Sequence, residues 1–158
     1  MIEVLASVAL FSVGLVGLAG LSLASLRATA DGQFVSQATY IAEELADVMR
    51  ANLQGYEAAN FASTPATTTK ICSPEAACTP AEQAQYDAGK WQWHTVSELP
   101  GGIALVCMDS TPNDGNPEAA ACDGAGLNTL KIFWQDARND EALTEGETFH
   151  RYVLAVIP

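Results

Sequence analysis

Cys72, Cys78, Cys107 and Cys122 are the residues whose type and spacing specify chemistry most directly. Five residues separate the first two and fourteen the last two. Four cysteines allow three pairings. The two local ones, Cys72-Cys78 and Cys107-Cys122, are favoured because each closes a short loop, the longer worth ~3 kcal/mol in the chain-entropy account of disulfide stabilisation. A four-cysteine zinc site competes with this reading, but such sites take cysteine pairs roughly two to four residues apart, and neither gap here fits. Disulfides place the domain that carries them in an oxidising space such as a bacterial periplasm or a cell surface.

Oxygen donors crowd the loop between the last two cysteines: Asp109, Asn113, Asp114, Asn116, Glu118 and Asp123. Asp109, Asp114 and Asn116 are weak candidates for calcium, since the glycine of the twelve-residue calcium loop falls at Gly115, one place late. A solvated acidic loop is the simpler expectation, and no metal is implied. His94 and His150 lie far apart, each more simply a loop or strand residue than a general base. No nucleophile elbow, phosphate loop, His-Glu-x-x-His or Cys-x-x-Cys motif occurs, so the chain reads as a non-enzyme without a cofactor. With 19 acidic against 7 basic residues, a net charge of -12 and a pI near 4.2, it has no basic patch for nucleic acid.

What must position these residues is unevenly built. Hydrophobic residues make up 49% of the 158 and charged ones only 16%, which excludes a disordered acidic tail. The apolar residues concentrate at the start, where Val4 to Leu26 is 23 residues without a charge. A helix of that length is about 35 Å long and can span a hydrocarbon core of about 30 Å. The remaining residues are too polar to enclose such a helix as a core. It is not a signal peptide either, because Met1-Ile2-Glu3 carries no positive charge. Gly14, Gly17 and Gly20 interrupt the run at every third residue, as expected of a helix that packs closely on other helices, or simply of membrane-helix composition. Glu3 at its edge is either a first-turn acid favoured by the helix dipole, by about 0.3–1 kcal/mol, or a carboxylate costing ~2.5–3.5 kcal/mol in mid-bilayer and calling for a cation.

The helical pattern continues past the apolar run. Phe34, Ala38, Ile41, Leu45 and Val48 recur at steps of four and three, opposite Gln33, Ser36, Gln37, Glu43, Glu44, Asp47 and Arg50. One helix is expected to about residue 53, with Asp31-Gly32 as a weak point and Gly55 as its stop. From Gly55 to Pro100 the sequence reads as loop-rich, through Ser63-Thr64-Pro65 and Thr67-Thr68-Thr69. A short helix is expected from Pro80, capped by Thr79. Strands are expected at Ile103 to Met108, Thr129 to Gln135 and His150 to Ile157. Leu130, Ile132 and Trp134 share one face, as do Tyr152, Leu154 and Val156, which predicts an antiparallel sheet buried on one side by the Phe34 to Val48 stripe. The fold class is α+β: a long N-terminal helix on a small antiparallel sheet head. The divisions are 1–26 for the transmembrane half of the helix, 27–54 for its amphipathic half and 55–158 for the head.

Met1-Ile2-Glu3-Val4-Leu5, the apolar run and the amphipathic Phe34 to Leu53 together resemble the N-terminal helix of type IV pilins and pseudopilins. Further stretches resemble the minor pilins called type IV pilus modification protein PilV: Gly14-Leu15-Val16-Gly17-Leu18-Ala19-Gly20-Leu21, Ser36-Gln37-Ala38-Thr39, Ala46-Asp47-Val48-Met49-Arg50-Ala51-Asn52, Leu99-Pro100-Gly101-Gly102 and Phe133-Trp134-Gln135-Asp136. The first 53 residues carry the resemblance strongly and the later motifs discontinuously.

The resemblance implies a subunit stored in the bacterial inner membrane with a periplasmic head, and exposed on the pilus or cell surface after assembly. It implies a basic leader removed by prepilin peptidase after a glycine, and methylation of the new N-terminus, Met1 standing where one of the first mature residues belongs. Such a leader would also supply the inner positive charge that Arg27, on the outer side, does not. Glu3 matches the glutamate that pairs with a neighbouring subunit's N-terminal amine. The implied partners are other minor pilins, the major pilin, a tip adhesin, prepilin peptidase and the inner-membrane assembly platform. A type II secretion minor pseudopilin and a membrane-anchored periplasmic binding domain are the alternatives.

Overall fold

The computed structural model describes residues 1–62, 71–135 and 149–158. Ser63-Thr64-Pro65, Thr67-Thr68-Thr69 and Asp136 lie outside the described residues. The chain divides into two units, Met1–Phe34 and Val35–Pro158. Helix α1 (Ile2–Ala51) begins in the first and ends in the second.

Within the first unit the apolar side chains are exposed, Val13 to 74% and Leu21 to 70%, and this helix is long and apolar enough to cross a membrane. Three of its hydroxyls are turned inward on its own backbone. Ser7, Ser12 and Thr29 each donate to the carbonyl four residues earlier, of Glu3, Val8 and Ser25, at 2.7–2.9 Å. These bonds leave the helix apolar on its outside in spite of its serines. A Cβ on Gly14, Gly17 or Gly20 would meet nothing within 4 Å, so nothing inside the chain requires glycine there.

The helix runs unbroken through Asp31-Gly32, the expected weak point. Gly32 stands in open space, and one glycine costs a helix only about 1 kcal/mol. In the second unit the buried residues of α1 are Ala38, Ile41, Ala42, Leu45, Ala46 and Met49. The stripe is thus wider than the expected one, with Phe34 and Val48 half-buried at its margins. The end also differs from expectation. Asn52 leaves helical geometry and its side chain accepts the Gly55 amide at 3.0 Å, starting α2 (Leu53–Glu57). Gly55 is therefore inside the second helix and not a stop. A Cβ there would come within 2.7 Å of Asn52 Nδ2 and 3.0 Å of Ala84.

The expected short helix at Pro80 is a long one, α3 (Pro80–Glu98). Thr79 and Glu82 form a reciprocal capping box with Pro80 in the first turn. Ala84, Ala88, Trp91 and Thr95, spaced four, three and four apart, are its buried stripe. The Trp91 indole donates to the Ile41 carbonyl at 2.8 Å, joining α3 to α1.

Three strands, β1 (Ile103–Asp109), β2 (Leu127–Trp134) and β3 (His150–Ala155), form an antiparallel sheet in the order β1-β2-β3. The bounds differ from expectation by a few residues at the ends. The larger difference is that β2 is buried on both faces, from Asn128 through Trp134. Period-two alternation puts Leu130, Ile132 and Trp134 on one face with Asn128, whose side chain reaches the Tyr56 carbonyl. Thr129, Lys131 and Phe133 are on the other, where the loop between β1 and β2 reaches over Lys131 and Phe149 packs edge-on against Phe133. The head thus has three layers: helices, sheet and loop.

Candidate functional site

β1 and β2 hold Asp109 and Lys131 on the same, loop-covered face, because Lys131 pairs with Leu105 and Asp109 lies four pairs further along with the same parity. Both side chains are fully buried. Lys131 Nζ lies 2.5 Å from Asp109 Oδ2, an oxygen that has no hydrogen-bond partner among the described residues and is met by this ion pair. The same ammonium donates to Asp114 Oδ1 at 2.9 Å and to the Ala120 carbonyl at 2.7 Å. It also donates to the Asp114 carbonyl at 3.3 Å, so its three hydrogen bonds go to Asp114 and Ala120 while Asp109 is met as an ion pair.

The loop is wrapped on this centre. Arg151 Nη1 donates to the Gly115 carbonyl at 2.7 Å. Gly115 has φ +81° and packs against the backbone of Ala119 and Ala120, a conformation and a closeness that a side chain would not allow. Asn116 Oδ1 accepts the amides of Glu118 and Ala119 at 2.9 and 2.7 Å. Asp123 accepts from the Ser110 hydroxyl and from the amides of Ser110 and Ala125. The disulfide Cys107–Cys122 closes the loop, and Cys72–Cys78 closes the shorter one.

Two carboxyls here are held below the ordinary carboxylate range. For Asp114 the main cause is the hydrogen bond from Lys131, followed by that from Thr111. For Asp123 it is the Ser110 hydroxyl, followed by the Ala125 and Ser110 amides.

The calcium candidates fall within this region but are otherwise engaged. Asp109 and Asp114 face the Lys131 ammonium, and Asn116 caps a turn. A dication between the two carboxylates would have to displace a buried cation. Among the described residues the one group of acidic, histidine and cysteine side chains close enough to share a metal is Cys107, Asp109 and Cys122. Its two sulfurs are bonded to each other and offer no thiolate. The histidines are separate: His94 Nδ1 is 3.2 Å from Glu44 Oε2, and His150 stacks on Trp134 with ring centroids 5.3 Å apart. Glu3 stands in the exposed first turn of α1. The sequence reading passed over Lys131, although a lysine inside Leu130-Lys131-Ile132-Phe133-Trp134 was the signal for a buried cation with a carboxylate partner.

Among the described residues the acidic loop is closed by its own hydrogen bonds and by the Cys107–Cys122 disulfide. The family model described as "Tt1218-like: Type IV pilin Tt1218" matches residues 20–89, from within α1 to within α3. No curated protein and no solved structure matches the chain. The match covers less than half of the chain and marks a similarity to type IV pilins over that stretch. The long apolar helix, the three-stranded antiparallel sheet and the two disulfides make a pilin-like α+β fold.

Proposed function

We propose that the chain is a minor pilin of the PilV kind, which primes or joins type IV pilus assembly in the tip complex. The observation that carries this reading is the first unit of α1. Its leucines and valines are exposed, the Ser7, Ser12 and Thr29 hydroxyls bond back to the helix, and a side chain at Gly14, Gly17 or Gly20 would meet nothing within the chain. In lipid such a surface is solvated, and among other helices its small residues permit close approach. Residues 1–26 would be the transmembrane and filament-core part, 27–54 the amphipathic part and 55–158 the periplasmic head. Other minor pilins, the major pilin and a tip adhesin are the partners, with prepilin peptidase and the inner-membrane platform acting before assembly.

Glu3 has the assembly role. In a dehydrated filament core its carboxylate requires a cation, and a neighbouring subunit's methylated N-terminal amine supplies one only in the correct register. The test is N-terminal sequencing of the protein made from its natural upstream reading frame, in membrane and in sheared-filament fractions. A trimmed, methylated N-terminus a few residues before Glu3, recovered in filaments, is the expected result. An unprocessed protein confined to the membrane would overturn it and leave an anchored periplasmic domain. Processed protein absent from sheared pili but present in a short periplasmic filament would instead identify a secretion pseudopilin.

A further inference from the structure

A second surface of the head is built for contact and is not used by the loop centre. A cleft of about 340 Å³ opens between α3, β1 and the acidic loop. Leu105 and Ile103 line it from the strand, Val96 from the helix, and Pro117, Glu118 and Ala120 from the loop. Its apolar surface continues outside. Val96 is 62% exposed, and Trp93, one turn away on α3, is 72% exposed. A tryptophan so exposed beside an apolar cleft is the type of residue that anchors protein interfaces.

The backbone of β1 narrows what can bind. The Val156 amide bonds to the Asn128 carbonyl, so even-numbered residues of β2 bond to β3 and odd-numbered ones to β1. Ala104, Val106 and Met108 therefore direct their backbone groups to the outer edge. The Gln92 side chain takes the Ala104 carbonyl at 2.9 Å and the Gly124 amide takes the Met108 carbonyl at 3.0 Å. An added strand is thereby blocked, and recognition must run through side chains.

Charge narrows it further. Glu118 is the one charged residue of the lining, and it is exposed. The cations that meet the loop are committed, Lys131 to Asp109 and Asp114, and Arg151 to the Gly115 carbonyl, while Lys90 lies on α3 beyond Trp93 and is not part of the lining. A second copy, also at -12, would bring more negative charge to this rim. We infer that the cleft seats an apolar side chain flanked by Lys or Arg on a segment of another protein. The inference does not depend on the pilin reading, because it concerns the head alone and is tested on unassembled protein.

The test uses the full chain in phosphatidylcholine nanodiscs and two labelled probe peptides, Lys-Leu-Phe-Lys-Lys and Glu-Leu-Phe-Glu-Glu, read by fluorescence anisotropy. The cationic probe is expected to bind about tenfold more tightly than the acidic one at low salt. Trp93→Ala, Val96→Ser and Glu118→Gln, all at exposed positions, are each expected to weaken it by about threefold or more with unchanged thermal melting. Equal binding of the two probes, or cationic binding untouched by all three substitutions, would overturn the inference. So would concentration-dependent dimerisation in sedimentation velocity that Val96→Ser abolishes, since the face would then belong to a second copy.

Discussion

Leu21 and Lys131 reverse the usual order of burial. The leucine, in the Met1–Phe34 unit, is 70% exposed, whereas the lysine, in the Val35–Pro158 unit, is fully buried. The difference lies in what each unit contains to cover its side chains. The first unit is one helix, and a single helix cannot bury its own surface, however apolar. The second has helices over one face of a sheet and a disulfide-closed loop over the other, and that loop brings the carboxylates that make a buried ammonium tolerable. Burial in this protein follows the available partner more than the residue type. The apolar unit has no cover of its own for its side chains, while the head covers its sheet from within.

The sharpest way to break that contrast is to remove one member of the buried pair. Lys131→Ala leaves the Asp109 carboxylate buried without its cation and is expected to destabilise the head by ~3–5 kcal/mol. Chemical unfolding of the full chain measures it, and the double variant Lys131→Met, Asp109→Leu should recover most of the loss. A loss under about 1 kcal/mol would mean that water reaches the pair.

Opening the loop comes next. Cys107→Ser with Cys122→Ser is expected to cost about 3 kcal/mol, and Cys72→Ser with Cys78→Ser about 2 kcal/mol, from the lengths of the loops they close. Matched unfolding curves of the two double variants test that order. If they coincide, the loop layer is held by Lys131 and Arg151 alone.

A milder perturbation is acid. Asp114 and Asp123 have lowered carboxyl pKa values in the folded state, so at intermediate pH the unfolded chain binds more protons. Their contribution is complete above the ordinary value near 3.8 and is lost as pH falls through the lowered folded values. Melting temperature followed from about pH 5 to about pH 2 should fall, and Asp123→Asn should make the fall shallower. An unchanged slope in that variant would remove Asp123 from the account.

The smallest effect is expected in the other unit. Leu15→Ala, at a side chain 51% exposed, should change the unfolding free energy of the head by less than about 0.5 kcal/mol. A larger change would show that the first unit is covered from within the chain after all.

Much of this was legible in local pattern. Thr79-Pro80-Ala81-Glu82 announces a helix start because a cap is chemistry between residues three apart. The same pattern understated α3, since Ala84, Ala88 and Thr95 are too small or too polar to read as a core stripe without Trp91 docked on α1. The strands were visible from β-branched and aromatic runs, but one-sided burial was expected of them because alternation within β2 says nothing about a loop that returns over its second face. Lys131 was visible and unread for the same reason.

The sequence by itself determined the elements whose causes are near in the chain: the uncharged helix from Val4 to Leu26, its amphipathic continuation, the α3 cap and the strand runs. Composition also set the acidic charge that the partner cleft carries. The tertiary structure alone decided that β2 is covered twice, that Lys131 meets Asp109 and Asp114, and that Val96 lines a cleft with β1 and the loop. Backbone propensity and periodicity act over a few residues, whereas the cost of burying a charge or exposing a tryptophan depends on atoms that only folding brings near.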